Sequence, residues 1–77
     1  MEEKYKKAFI TALSLSEDKN LVELKYNDID EWDSIGHMTL ISELEETFNI
    51  SFDTDDIVNF SSYKEGKKIL SKLGVNF

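Results

Sequence analysis

The chain has 77 residues, room for one domain (1–77) and one small core but too little for an enclosed catalytic cleft beside it. It has no cysteine, so disulfides and zinc-thiolate sites are excluded. Its formal charge of −7 is unevenly placed: Asp28 to Asp56 holds ten acidic residues and no lysine or arginine, a local −10 that leaves the flanks at +3, which disfavours nucleic acid as a partner; such a face is able to steer basic protein surfaces, but on composition alone a solvated acidic surface is the better reading.

With no proline and three glycines, and with many Leu, Ile, Lys and Glu, the composition predicts an all-α fold. No apolar run is long enough to span a membrane, and Met1-Glu2-Glu3-Lys4 does not read as a signal peptide, so the expectation is a cytoplasmic monomer. The first helix is predicted over 2–15. Tyr5, Phe9, Ala12 and Leu13 recur at three- and four-residue spacing beside Ala8 and Leu15, with Lys4, Lys6 and Lys7 opposite. Residues 16–33 form a long, mostly polar connection. Leu21, Leu24, Ile29 and Trp32 punctuate it, a pattern that pins a loop onto a core, and the Trp32 ring is expected to pack over the junction with the next helix.

The second helix is predicted over 34–48, with Leu40, Ile41, Leu44 and Phe48 as its core stripe. Ile35 and Met38 fall off that stripe, near the helix start. They either meet a partner or cover the end of the core. Ile50-Ser51-Phe52 is too short for a sheet and reads as a loop burying its two apolar residues. Asp53 caps a short third helix over 54–59, with Asp55 and Asp56 in its first turn and Ile57, Val58 and Phe60 as its apolar contacts. Ser62-Tyr63-Lys64-Glu65 fits a capping box opening the last helix. Ile69, Leu70 and Leu73 face inward, Lys67, Lys68 and Lys72 fall toward the end, and Gly74 followed by Val75 closes it.

Asp33-Ser34-Ile35 stands where the long loop meets the second helix. The amides of a first turn have no intrahelical partners and the helix dipole is positive there, so a phosphate esterified to Ser34 would gain roughly 0.3–1 kcal/mol at an exposed site. Taken alone, Asp33-Ser34 before a helix is a weak signal, and one of the two acting simply as an N-cap is the better reading. Asp33, Ser34 and His37 make a poor hydrolase triad, because no oxyanion hole or glycine-rich elbow accompanies them; His37 is expected to face solvent. Calcium loops starting at Asp28 or Asp53 fail at their fifth positions, Trp32 and Ile57, so no metal site is expected.

The stretch from Glu31 to Ile50, with Asp33-Ser34-Ile35 and Leu44-Glu45-Glu46-Thr47-Phe48, resembles the signature region of acyl carrier proteins. Ile50-x-Phe52-x-x-x-Asp56-Ile57 and a last helix opening after serines extend the resemblance over nearly the whole chain, weakly in the first helix. It implies a four-helix bundle with a short third helix and a long loop between helices one and two. It implies a non-enzymatic carrier whose Ser34 receives 4′-phosphopantetheine from a phosphopantetheinyl transferase. The arm's thiol would then hold acyl or aminoacyl cargo, which agrees with a chain that has no thiol of its own.

Partners implied by the resemblance are acyl-loading and acyl-transfer enzymes with basic patches, docked by Asp33, Ile35, Met38, Glu45 and Glu46. Gly36 and Thr39 stand where fatty-acid carriers often have acidic residues. That departure points to a specialised lipid, polyketide or surface-polysaccharide pathway. The alternatives are general fatty-acid synthesis or, in a different class, an acidic helical interaction domain without cofactor.

Overall fold

A computed structural model describes residues 2–77. The protein is all-α, with four helices: α1 (Glu2–Leu13), α2 (Ser34–Phe48), α3 (Thr54–Asn59) and α4 (Tyr63–Lys72). Among the described residues there is no strand, only one isolated antiparallel bridge between Lys25 and Ser62.

The helices α2, α3 and α4 open on side-chain caps. Asp33 accepts from the Gly36 amide, Asp53 from the Asp56 amide and Ser62 from the Glu65 amide, each carboxylate or hydroxyl satisfying a first-turn N–H that has no helical partner. The serine half of the predicted capping box is therefore present. The Glu65 carboxylate pairs instead with Lys68, at 3.5 Å.

The first helix ends two residues earlier than its apolar pattern predicts. Ser14 takes a left-handed conformation (φ 55°), and the Leu15 amide folds back to the Ile10 carbonyl at 3.0 Å. The same termination recurs twice. Asn49 (φ 54°) is followed by Ile50 bonded to the Glu45 carbonyl, and Gly74 (φ 101°) by Val75 bonded to the Leu70 carbonyl. Each is a six-to-one closure with an apolar residue returning to the helix surface. Leu15 belongs to this closure rather than to the helical stripe. Gly74 announced its turn in the sequence; a serine in the left-handed region did not.

The interior is aromatic. Tyr5, Phe9, Trp32, Phe60, Leu40, Leu44 and Leu70 are the largest fully buried side chains. The Phe9 ring meets Tyr5 at 5.1 Å and Trp32 at 5.3 Å, both edge-on, the arrangement that aligns ring edges with ring faces. The Tyr5 hydroxyl donates to the Tyr63 carbonyl at 2.6 Å, and the Tyr63 hydroxyl donates to Glu2 at 2.7 Å, joining α1 to α4. Burial pushes both phenols above their ordinary range, Tyr5 the further. Gly66 lets α4 approach this cluster, since a Cβ there would lie 2.2 Å from both the Tyr5 hydroxyl and the Phe60 ring.

The short helix α3 differs. Its only buried residue is Asp56, 4 % exposed, while Val58 is 73 % exposed and Ile57 half-buried. The predicted apolar contact through Val58 is thus absent. In a helix of only six residues, Asp56 turns toward the body of the protein, where Lys72 of α4 meets it at 2.6 Å. The apolar anchors are Phe52 and Phe60, which flank the helix.

Candidate functional site

The long connection presents the start of α2 as a tied structure. The Leu24 amide bonds the Leu21 carbonyl, the Asp28 amide bonds the Lys25 carbonyl, and Asp28 in turn accepts from the Lys25 amide. Asn27, in the left-handed region at φ 72°, donates its amide to the Trp32 carbonyl, closing a loop whose buried base is the indole. The Tyr26 amide reaches the Ser61 carbonyl and the Tyr63 amide the Leu24 carbonyl, so this connection is sewn to the start of α4.

Out of that loop the chain enters α2 at Asp33, whose backbone is extended. Its carboxylate accepts from the Gly36 amide at 2.8 Å and its carbonyl from the His37 amide at 2.7 Å. Asp33 is therefore the cap, and Ser34 is the first helical residue, exposed and relieved of capping. Gly36 has a steric cause: a Cβ would lie 2.0 Å from the Glu31 carbonyl oxygen. The loop crosses the helix too closely for any side chain there, so an acidic residue could not take this place. Thr39 turns its hydroxyl back to the Ile35 carbonyl at 3.1 Å.

The candidate docking residues divide by what they already do. Ile35 and Met38 are 78 % and 51 % exposed and cover no core. Glu46 is exposed. Glu45 is half-buried and accepts the Phe52 amide at 2.8 Å, closing the turn between α2 and α3. Asp33 and Glu45 thus hold the local fold together, whereas Ile35, Met38 and Glu46 stand outward.

The sequence predicts a solvent-facing His37, and the structure corrects this: it is half-buried with both ring nitrogens engaged. The Trp32 indole N–H can only donate, so at 2.9 Å it donates to Nδ1 of His37. The imidazole proton then sits on Nε2 and is donated to the Ile57 carbonyl at 2.9 Å. That carbonyl lies in the last turn of α3, where no helical partner is available. Neither nitrogen is left to serve Ser34 as a base, and the Asp33 carboxylate is directed to Gly36, so the three residues form no triad.

Beside His37 lies an apolar pocket of about 240 Å³ lined by Tyr26, His37, Ile57, Val58, Phe60 and Ser61. Tyr26 and Ser61 carry no signal in the sequence, and Val58 only that of an apolar helix contact, because the pocket exists only where the loop, α2 and α3 converge. The acidic segment also acquires a cation from outside itself. The Lys72 ammonium hydrogen-bonded to Asp56 holds that carboxyl below its usual value and raises the lysine in turn. Among the described residues no group of three or more His, Cys, Asp or Glu is arranged to hold a metal ion, and no helix is long and apolar enough to cross a membrane.

Comparison of the chain with family models, with curated proteins and with solved structures found no match.

Proposed function

We propose that the chain is a carrier protein that holds cargo on a 4′-phosphopantetheine arm attached to Ser34. The observation that carries this reading is the division of labour at the start of α2: Asp33 caps the helix, leaving the Ser34 hydroxyl exposed on the first turn. A phosphodiester at that oxygen fits the place. It would lie in the positive field of the helix start, and the seryl oxygen is not needed for the fold. The arm would supply a terminal thiol able to hold acyl or aminoacyl groups as thioesters. The residues around it would bind partners and contribute no catalysis.

Under this reading the four helices form the bundle of the carrier family. Ile35, Met38 and Glu46 meet the transferase and the loading enzymes, with Asp33 and Glu45 adding charge while they hold the helix ends. The steric demand at Gly36 means that a thinner acidic rim accompanies this loop path, which favours partners of a specialised pathway in the cytoplasm over the general fatty-acid enzymes.

The test is treatment of the purified protein with coenzyme A and a broad-specificity phosphopantetheinyl transferase. The expected product carries one phosphopantetheine unit, and Ser34→Ala abolishes it. An intact mass unchanged by several such transferases overturns the carrier reading in favour of an acidic interaction domain. Elongation on the modified protein as fast as on a fatty-acid system's own carrier overturns the specialised pathway alone.

A further inference from the structure

The only tryptophan and the only histidine of the chain are bonded to each other, five residues apart, where three elements meet. Trp32 belongs to the long connection, His37 to the first turns of α2, and the Ile57 carbonyl to α3. The imidazole lies nearly parallel to the indole, with ring centres 6.1 Å apart and planes 21° apart, so the two rings meet edge to edge along the hydrogen bond, and Tyr26 and Phe60 meet the imidazole at a steep angle at 5.4 and 5.9 Å. One ring therefore ties the loop, α2 and α3 together, and it also forms a wall of the apolar pocket.

We propose that His37 is a proton-operated latch that ties α3 to the loop and α2 in its neutral form and releases α3 when protonated. The arrangement works with one tautomer only. Nδ1 must be bare to accept from the indole, and Nε2 must carry the proton that goes to Ile57. A second proton on Nδ1 would set two N–H groups against each other at 2.9 Å and orphan the donor of a fully buried indole. The ring then leaves the indole, and the adjoining pocket is the space it can move into. The Ile57 contact moves with it. Helix α3 has few ties to resist with, because Val58 is exposed, Ile57 is only half-buried against the core, and what remains is the Asp56–Lys72 pair and the flanking phenylalanines.

The charged groups on the surrounding elements are mostly acidic and mostly engaged. Asp33 on α2 is bonded to the Gly36 amide, Asp28 in the loop to the Lys25 amide, Asp53 on α3 to the Asp56 amide, and Asp56 to Lys72. Lys25, Asp30 and Glu31 in the loop and Asp55 on α3 are exposed, and Tyr26 contributes a phenol. Among the described residues none of these makes a hydrogen bond to the imidazole ring. The proton's effect is therefore delivered through Trp32 and Ile57. A release triggered by protonation means that the proton favours the unlatched form, so the latch opens on acidification and closes as the proton is lost.

The latch needs nothing attached to Ser34, so the unmodified chain tests it independently of the carrier reading. The measurements are nuclear magnetic resonance of the His37 ring, the Trp32 indole N–H and the α3 amides between pH 8 and 5, with tryptophan fluorescence alongside. The expected result is a single shared transition with unchanged far-ultraviolet circular dichroism. Exchange of the α3 amides, corrected for intrinsic pH dependence, should be about three- to tenfold faster at the acid end, the effect of losing about one hydrogen bond. His37→Gln can accept from the indole and donate to Ile57 but cannot titrate, so its signals should stay at the latched positions throughout. The proposal is overturned if His37 titrates while the indole and α3 signals do not move, if His37→Gln shows the same transition, or if the transition coincides with loss of helical signal. The wild-type titration decides by itself should the variant fail to fold.

Discussion

The aromatic interior and the short helix α3 are held by different physics. Between α1, the long connection and α4, stability comes from large rings excluded from water: Tyr5, Phe9, Trp32 and Tyr63 touch one another or share neighbours, and their hydroxyls are bonded. Around α3, single polar ties replace that area: Asp56 to Lys72, His37 to the Ile57 carbonyl, and Glu45 to the Phe52 amide at its approach. Burial is collective and does not depend directly on pH, whereas each tie depends on one protonation state or one charge. The region able to change with conditions is thus the one that borders the pocket and lies beside the helix carrying Ser34. Segments that move are drawn from the low-stability end of a structure, and α3 meets that description.

Substitutions can break this contrast. Phe9→Ala should cost about 3–5 kcal/mol, much of what a small domain has, whereas Val58→Ala should stay within about 0.5 kcal/mol. Urea unfolding of the two variants measures both, and equal losses would erase the distinction between the regions. Next in size is Gly36→Ala, whose added methyl meets a backbone carbonyl that cannot swing aside; a loss of about 1–3 kcal/mol is expected in the same assay. An unchanged midpoint would mean that the loop can lift off α2.

Smaller effects sharpen the α3 side. Asp56 is held below its usual value of 3.8, first by its hydrogen bond to Lys72. A depressed carboxyl stabilises the fold above its unfolded value, and that contribution is lost as pH falls through the folded one. Lys72→Met should therefore lower the melting temperature at neutral pH, with the deficit fading below about pH 4. A deficit independent of pH would assign the loss to the lysine stem instead. The smallest expected change in stability is that of Glu46→Lys, an exposed site. Under the proposed carrier reading, its effect should appear in the rate of transferase modification and shrink with added salt. Glu45→Lys should differ by lowering the melting temperature too, since it removes the acceptor of the Phe52 amide, while Glu45→Gln keeps that bond.

Much of this architecture is legible in the chain itself, for local reasons. Asp33, Asp53 and Ser62 announce helix starts because a cap needs only its own side chain and the next three amides. The core stripe of α2 and the glycine closing α4 are similarly short-range. The concentration of acid from Asp28 to Asp56 is a property of composition and needs no coordinates. Tertiary structure alone decided the rest. Leu15 and Val58 are apolar and suitably spaced, yet one completes a turn and the other faces water, because burial depends on what lies opposite. Gly36 looked like a missing acid until the Glu31 carbonyl was placed 2.0 Å from its absent Cβ. Lys72 reaches Asp56 across 16 positions, and His37 reaches Ile57 across 20. Such pairings carry no local signature: hydrogen bonds and ion pairs act over about 3 Å of space, and only the folded chain sets which distant residues come that near.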